Sequence, residues 1–413
     1  MKPAVRSSTP GHPVLLLLLT VALAVMPGGC ATVPDPASTA VLPAGSGGLA
    51  SPTPAARIRP IPGHELYGYL PYWEMDDTIA DHLTTTPLTT LALFSITDTA
   101  KGVLNTKQVG YQRITGELGT RLIREAHERG VRVEVVFTSF GEARNRAFFS
   151  ATARQDAAIA ALVALVGDRG LDGVGVDVEG LDPLSLPVFA AFIGRLRSAV
   201  VASDPGDRVT VAASANTQGA AMAAAAVAAG ADRVFVMGYD YRVAGSSPGA
   251  TSPLDRRDGE RDLRWSIELY AAAGAPPERL LLGLPLYGLA WPVAGPVIGA
   301  PETGRGDVWI PRRHLEVLTD PSVRPLRDEQ EMVEVYLLGS DGSVGPPSPG
   351  AWTPAEVAWT AAYLDSPSTL ATKLALANEQ GYAGAGLWAI GYERGLPGYH
   401  ELMGRFVAGK PLP

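Results

Sequence analysis

The sequence has little cysteine and little histidine, which excludes several classes of protein. Of the 413 residues, one is cysteine and six are histidine. A single cysteine cannot form a disulfide within the chain. The histidines lack the spacing of a metal site such as HExxH, and no glycine-rich dinucleotide motif follows an early strand. We therefore predict neither a metal nor another cofactor.

Positive charge is also scarce. The chain carries 34 lysines and arginines against 42 acidic residues, for a net charge of −8. A protein that binds nucleic acid needs a basic face for the phosphate backbone, so we expect no nucleic-acid partner. Because 46% of the residues are hydrophobic and 18% are charged, the composition is typical of a soluble globular protein. We expect a monomer.

No apolar run near the N-terminus is long enough to span a membrane comfortably. Residues 14–26 form a mostly apolar run of 13 residues that follows Lys2 and Arg6. The next segment, Met26-Pro-Gly-Gly-Cys30, resembles a bacterial lipobox, although Pro27 replaces the usual aliphatic residue. We therefore predict a lipoprotein-type signal peptide over residues 1–30, lipidated at Cys30, and an exported protein anchored at the membrane facing the cell wall. The alternative is an ordinary secretory signal and a secreted protein.

The rest of the chain divides into a tether and one folded domain. Residues 31–63 are rich in proline, alanine, serine, threonine and glycine without hydrophobic periodicity, which predicts a disordered tether. From residue 64 to 413, apolar β-branched runs alternate with amphipathic stretches. The predicted strands are Leu66–Trp73, Thr89–Ile96, Val131–Phe137, Gly173–Glu179, Arg208–Ser214, Arg233–Tyr239, Leu280–Tyr287 and Gly384–Ile390.

Eight strands that alternate with helices predict an α/β fold, a (β/α)8 TIM barrel. A doubly wound open sheet is the alternative. The last two strands are far apart in the chain, and so long a loop without structure of its own would be unusual. We therefore predict a small α+β insertion at about residues 289–365, between strands 7 and 8.

The fourth predicted strand has an unusual distribution of acids. Val174, Val176 and Val178 alternate with a glycine and two acids, so one strand face is apolar and the other carries Asp177 and Glu179. Buried acids on one face repel each other, and at least one pKa should rise. A carboxylic acid still protonated near neutral pH is what the cleavage of a glycosidic bond requires.

In a parallel barrel, the active site lies where the strands end. Several polar and aromatic residues lie at the predicted strand ends, and aromatic faces can stack on sugar rings. Besides the two acids, the candidates for substrate binding are Met237, Asp240, Tyr69, Phe94, Tyr287 and Trp388, with Tyr239 as a further catalytic candidate.

Four motifs, in order along the chain, resemble glycoside hydrolase family 18, the chitinase-like enzymes. Asp172-Gly-Val-Gly-Val-Asp177-Val-Glu179 is similar to the family's DxxDxDxE signature, and Met237-Gly-Tyr239-Asp240 to its MxYD motif. Leu282–Gly288 and Gly386-Leu-Trp388 resemble its seventh and final strands. In addition, Met237–Arg242, Gly245–Ala250 and Pro285–Trp291 resemble spore and cell-wall N-acetylglucosaminidase members of the family.

The resemblance implies a retaining, substrate-assisted mechanism on chitin-type oligosaccharides or peptidoglycan. Glu179 would be the general acid and base, Asp177 would orient the 2-acetamido group, and Tyr239 would bind the acetamido carbonyl. Trp388 would form the floor of the sugar subsite, and Asp172 would support the strand.

One position departs from the family pattern. Gly175 stands where the family usually has an acid that shares a proton with the next aspartate. This departure favours the cell-wall branch over a strong chitin degrader. It also keeps open the alternative of a lectin-like lipoprotein that binds amino sugars with little or no turnover.

Overall fold

Thirteen strands and eleven helices make up the part of the chain that the structure, a computed structural model, describes, residues 64–345 and 357–413. The strands are β1 Glu65–Pro71, β2 Thr90–Ile96, β3 Arg132–Phe140, β4 Gly173–Glu179, β5 Arg208–Ser214, β6 Arg233–Met237, β7 Leu280–Pro285, β8 Gly288–Val293, β9 Asp307–Trp309, β10 Leu326–Asp328, β11 Val333–Gly339, β12 Trp359–Leu364 and β13 Gly384–Trp388.

Eight of these strands form a closed parallel barrel. Its order is β1-β2-β3-β4-β5-β6-β7-β13, with β13 pairing back to β1. Helices follow the barrel strands, as the alternating pattern of the sequence predicted. They are α1 Ile79–Thr85, α2 Val109–Thr115, α3 Glu117–Glu128, α4 Glu142–Phe149, α5 Thr152–Arg169, α6 Leu186–Ser203, α7 Thr217–Ala228, α8 Leu263–Ala272, α9 Leu315–Leu318, α10 Pro367–Glu379 and α11 Tyr399–Val407. The (β/α)8 TIM barrel is therefore confirmed.

The barrel strands divide their side chains between two cores. Outward residues such as Val174, Val176 and Val178 are fully buried beneath the helices. Inward residues fill the barrel itself, where the ring of Phe235 occupies space that opens because Gly283 and Gly386 lack side chains. A Cβ atom at either glycine would lie within 2.5 Å of that ring.

The interior is charged at the amino-terminal end of the barrel. There the buried Glu65 of β1 receives hydrogen bonds from Arg208 of β5 and Arg233 of β6. Above this cluster lies Glu134 of β3, which is 1% exposed. The hydroxyl of Tyr67 donates a hydrogen bond to its carboxylate. The inward face thus changes from ion pairs at one end to hydroxyls and aromatic rings higher up.

A second, antiparallel sheet lies between β7 and β13, where the sequence predicted an insertion. Its order is β10-β11-β12-β8-β9, and its own core contains the buried Trp291 and Tyr363. A buried ion pair of two 2.7 Å contacts joins Arg242, after β6, to Glu331, just before β11. The sheet is thereby fastened to the loops at the carboxyl-terminal end of the barrel.

The predicted element bounds differ from the structure mainly at turns. The first predicted strand ran to Trp73, but residues 72–74 form a 3₁₀ turn. The sixth ran to Tyr239, but β6 ends at Met237 because the chain turns sharply there. The seventh ran to Tyr287, but β7 ends at Pro285, and β8 begins after only two intervening residues, so the apolar runs of β7 and β8 merge in the sequence.

Candidate active site

The two acids of β4 lie at the carboxyl-terminal mouth of the barrel. Asp177 is 5% exposed, whereas Glu179, the last residue of the strand, opens onto a cleft. The carbonyl oxygen of Glu179 accepts hydrogen bonds from the backbone N–H of Gly141 at 2.9 Å and from Nδ2 of Asn145 at 2.6 Å. The segment after β3 therefore holds the backbone at the end of β4.

Both acids hold their protons more tightly than ordinary carboxyl groups do. Burial, and then the charge of Glu179, raises the pKa of Asp177 well above its usual range. The pKa of Glu179 is raised because the cleft walls withhold water from it, although it faces the opening, and because Asp240 lies nearby. No cationic side chain contributes to either shift. Oδ1 of Asp177 is buried and has no hydrogen-bond partner among the described residues.

The segment after β6 forms a second wall of the site, one strand removed from β4. Asp240 adopts a left-handed backbone conformation with φ of 59°, which aspartate tolerates better than most residues. Its carboxylate accepts hydrogen bonds from the hydroxyls of Tyr287 and Thr251. Burial raises its pKa, and these two hydroxyls lower it. The ring centroid of Tyr239 lies 6.2 Å from that of Tyr287. The structure thus brings the predicted tyrosine–aspartate pair to the acids of β4.

An aromatic cluster forms the floor beside the acids. Trp388 at the end of β13 is half-buried, with its ring centroid 4.8 Å from Phe94 and 5.4 Å from Tyr69. Phe94, Tyr69 and Tyr287 are at most 6% exposed. They lie beneath the surface, so their predicted contact with substrate stays a prediction. Trp73, which follows β1, is 40% exposed beside Trp388 and offers an additional stacking surface.

A cleft of about 390 Å³ opens beside Glu179, between the ends of β4, β5 and β6, and the aromatic cluster does not line it. Of the predicted residues, it is lined by Glu179, Met237, Tyr239 and Asp240. Sequence reasoning missed three charged residues of the loop between β6 and α8 that also line it, Arg256, Glu260 and Arg261. The signal was present, since residues 255–262 are almost all charged and follow a barrel strand.

The two predicted supporting residues of β4 lie away from the cleft. Asp172 precedes the strand at the other end of the barrel, where its Oδ2 accepts a hydrogen bond from the backbone N–H of Val133 at 2.8 Å and contacts Nε2 of His127 at 2.8 Å. It braces β4 against β3 and α3. Gly175 faces the barrel interior, and a Cβ atom there would lie 3.2 Å from the hydroxyl oxygen of Tyr67.

Among residues 64–345 and 357–413, one cluster could bring three metal-ligand atoms within 4.8 Å of one another, His82, Glu393 and His400. Glu393 Oε1 already lies 2.7 Å from Nε2 of His82, and its Oε2 accepts a hydrogen bond from the N–H of Gly391 at 2.9 Å. The carboxylate is thus satisfied by protein groups. The absence of a metal stays a prediction, as does lipidation of Cys30, which lies outside the described residues.

A closed parallel barrel, with unpaired acids at its carboxyl-terminal mouth and an aromatic floor, has the architecture of a barrel glycosidase. The profile of glycosyl hydrolases family 18 matches residues 65–393. The chain therefore belongs to glycosyl hydrolases family 18, as the resemblance of its motifs predicted.

Relatives and solved structures agree with this assignment. A protein of Bacillus subtilis named as a sporulation-specific glycosylase, YdhD, is 30% identical over 132 residues, which are 31% of this chain and 29% of that protein. The match therefore spans less than a third of YdhD. Among solved structures, a family 18 N-acetylglucosaminidase of Paenibacillus barengoltzii has a TM-score of 0.65 at 18% identity, over 84% of this chain and 99% of that one. The spore cortex-lytic enzyme SleL of Bacillus cereus has a TM-score of 0.62 at 16% identity, over 83% and 74%.

Proposed function

We propose that this protein is a retaining glycoside hydrolase that cleaves β-1,4 linkages at N-acetylglucosamine residues by substrate-assisted catalysis. The observation that carries the proposal is the pair of acids at the end of β4, Asp177 and Glu179. Both face the mouth of the barrel, both have a raised pKa, and no cation holds either of them ionised.

Glu179 is the general acid. Its raised pKa keeps it protonated closer to neutral pH, so it can donate a proton to the oxygen of the leaving sugar. After the leaving group departs, the same carboxylate accepts a proton from the incoming water. Its position at the open end of the strand gives both the sugar and the water access to it.

Asp177 is the partner of the acetamido group of the substrate. Its buried Oδ1 has no donor among the residues that the structure describes, and an acetamido N–H is a donor of suitable chemistry. Held in this way, the acetamido oxygen would attack the anomeric carbon, and the carboxylate would stabilise the positive charge that develops. The hydroxyl of Tyr239, which follows β6, would bind the acetamido carbonyl.

The substrate class is an N-acetylglucosamine polymer, with peptidoglycan favoured over chitin-type oligosaccharides. Three observations support this choice. The predicted signal and Cys30 would hold the barrel by a lipid anchor beside the cell wall. YdhD is named for sporulation, and SleL acts on spore cortex according to its name. Gly175 also departs from the pattern of chitin-degrading members.

Hydrolysis assays test the proposal. Residues 31–413 would be purified and given chitooligosaccharides and peptidoglycan, beside a Glu179→Gln variant. We expect the unchanged protein to release products with retained β-configuration, detected by NMR of the first product formed. The variant should bind the same sugars but react about 10²–10⁴-fold more slowly, the usual contribution of a general acid.

Glu260→Gln is the matched control, since Glu260 is an acid of the same cleft that pairs with Arg256 on the exposed side. It should retain most of the activity. Sugar binding by the unchanged protein and by Glu179→Gln, with cleavage by neither, would replace the enzyme with the lectin-like alternative.

A further inference from the structure

A second acid lies deep inside the barrel, below the catalytic pair, and the proposed mechanism does not use it. Glu134 of β3 is 1% exposed. Two hydroxyls donate to its carboxylate, that of Tyr67 at 2.8 Å to Oε2 and that of Thr210 at 3.1 Å to Oε1. The charges of Arg208 and Arg132 also lower its pKa, but burial outweighs them. A buried carboxylate whose hydrogen bonds come from neutral donors is costly unless it exchanges its charge for a proton.

Tyr67 and Tyr69 connect Glu134 to Asp177. Both tyrosines point inward from β1, and their ring centroids are 5.2 Å apart. Tyr69 lies two residues beyond Tyr67 on β1, as Asp177 lies two residues beyond Gly175 on β4, and the Tyr67 hydroxyl lies next to Gly175. In agreement with this placement, the charges of Asp177 and of Glu134 each raise the pKa of Tyr69. A hydrogen bond with Tyr67 acts on the same hydroxyl in the opposite direction. The two phenols therefore lie between the two acids.

The space beside Gly175 allows this arrangement. A Cβ atom at Gly175 would lie 3.2 Å from the hydroxyl oxygen of Tyr67 and 3.2 Å from Cγ2 of Val136. The tyrosine hydroxyl thus occupies the place into which a longer side chain on β4 would project. Gly175 leaves Asp177 without an acid two residues before it on the same face of β4, and Glu134 supplies an acid from the neighbouring strand β3.

We propose that Glu134 is a positioning residue that controls the charge of Asp177 through the hydroxyls of Tyr67 and Tyr69. The inference rests on the proposed function, because it concerns how Asp177 is kept ready for the acetamido group. When Glu134 is ionised, Tyr67 donates to it, and the hydroxyl of Tyr69 is shared between Tyr67 and Asp177. When Glu134 carries a proton, Tyr67 can turn to Tyr69, whose hydroxyl then donates to Asp177 and stabilises it as an anion.

Glu134→Gln tests the proposal, because the amide is neutral and can donate to Tyr67 as a protonated acid does. We expect the variant to hold Asp177 ionised, so that its pKa falls by about one unit, the scale of coupling between interacting sites. The acidic limb of the kcat/KM profile, which requires ionised Asp177, should move to lower pH by a similar amount.

Tyr67→Phe removes the next hydroxyl between Glu134 and Asp177 but keeps the aromatic ring. It frees the Tyr69 hydroxyl for Asp177, so the acidic limb should again move to lower pH. Because both variants act through one chain, the double variant should shift the limb no further than either single one. This variant also keeps the test decisive if Glu134→Gln does not fold, which thermal unfolding would reveal.

Glu334→Gln is the matched control. Glu334 of β11 is another acid with a raised pKa that accepts a hydroxyl hydrogen bond, from Ser366 at 3.2 Å, but it lies in the small sheet. This variant should leave the pH profile unchanged.

Carboxyl ¹³C NMR of residues 31–413, with the Asp177 signal assigned from an Asp177→Asn sample, measures the coupling without turnover. If the unchanged protein cleaves no sugar, the proposed function fails while the NMR titration still tests the coupling. If the unchanged protein is active but Glu134→Gln leaves both the acidic limb and the pKa of Asp177 in place, the inference is overturned. Full additivity of the two variants would overturn it as well.

Discussion

Two sets of inward-facing acids lie at opposite ends of the same barrel, and their surroundings differ. At the amino-terminal end, Glu65 forms ion pairs with the guanidinium groups of Arg208 and Arg233. At the carboxyl-terminal end, Asp177 and Glu179 face each other and Asp240, and no cation contributes to their pKa values. Both ends bury carboxyl groups, but among the described residues only the amino-terminal acid forms ion pairs, since Arg256 at the other end pairs with Asp258 and Glu260 instead.

The difference separates acids that hold the barrel together from acids that carry chemistry. A paired carboxylate stays ionised, and its hydrogen bonds join neighbouring strands. An unpaired one costs stability and retains its proton to higher pH, which is useful only where a proton must be transferred. Glu134 is intermediate. Arg208 and Arg132 lower its pKa, yet burial outweighs them and raises it to about 7.

Asp177→Asn should have the largest effect on activity. It also distinguishes most clearly the acids at the carboxyl-terminal end of the barrel from those at the amino-terminal end. The amide keeps the shape but loses the charge that stabilises the transition state, so kcat should fall roughly 10²–10³-fold. Stability should change in the opposite direction. At neutral pH, the loss of an unpaired buried acid should raise the free energy of unfolding by about 1 kcal/mol.

Urea unfolding and initial-rate kinetics on the same samples measure both effects. A variant that lost stability together with activity would show that Asp177 is a structural acid like Glu65, and the contrast between the two ends would disappear.

Glu65→Gln should give the converse result. Without the carboxylate, Arg208 and Arg233 lose their shared counter-charge inside the barrel, and the free energy of unfolding should fall by about 3–5 kcal/mol. The kcat of the folded fraction should not change, because the cluster lies at the other end of the barrel. Glu128→Gln is the control. It alters an exposed pair with Arg124 and should cost less than about 0.5 kcal/mol.

Glu134 should make the free energy of unfolding depend on pH, between its pKa in the unfolded chain and its pKa in the folded protein. Its pKa is about 7 in the folded protein against 4.5 for an ordinary glutamate, so the folded state binds the extra proton in this interval. Stability therefore falls as the pH rises from 4.5 to 7, by about 3 kcal/mol at most, and is constant outside that window. Glu134→Gln should remove this slope, as measured by urea unfolding at each pH. An identical slope in both proteins would place the titration elsewhere.

Strand β4 and its acidic face were predictable because their pattern is local. Valines that alternate with Asp177 and Glu179 indicate the face, the strand and the chemistry together. The same logic would have found Glu134, which alternates with Val133 and Val135 in an equally apolar run.

The sequence does not predict which buried acids form ion pairs with arginine. The arginines that pair with Glu65 come from β5 and β6, more than 140 positions away in the chain, and barrel closure alone brings them together. The cleft residues Arg256, Glu260 and Arg261 belong to a loop whose path depends on the insertion, through the ion pair of Arg242 with Glu331. Local periodicity therefore predicts which acids share a strand face. Which of these acids form ion pairs depends on contacts between distant parts of the chain.

Tyr287→Phe should give the smallest effect and tests whether Asp240 belongs to the unpaired set. Its hydroxyl donates to Asp240 and lowers the pKa of that acid, so its loss should raise the pKa of Asp240. The negative charge of Asp240 in turn raises the pKa of Glu179. An Asp240 that keeps its proton to higher pH carries less negative charge near Glu179, so the pKa of Glu179, the proposed general acid, should fall.

The alkaline limb of kcat/KM should then move to lower pH by about half a unit, since a hydrogen bond from a neutral donor is worth about 1 kcal/mol. Tyr336→Phe makes the same change in the small sheet and should leave the limb in place. A limb that moved to higher pH, or not at all, would mean that Asp240 does not act on Glu179 through its charge.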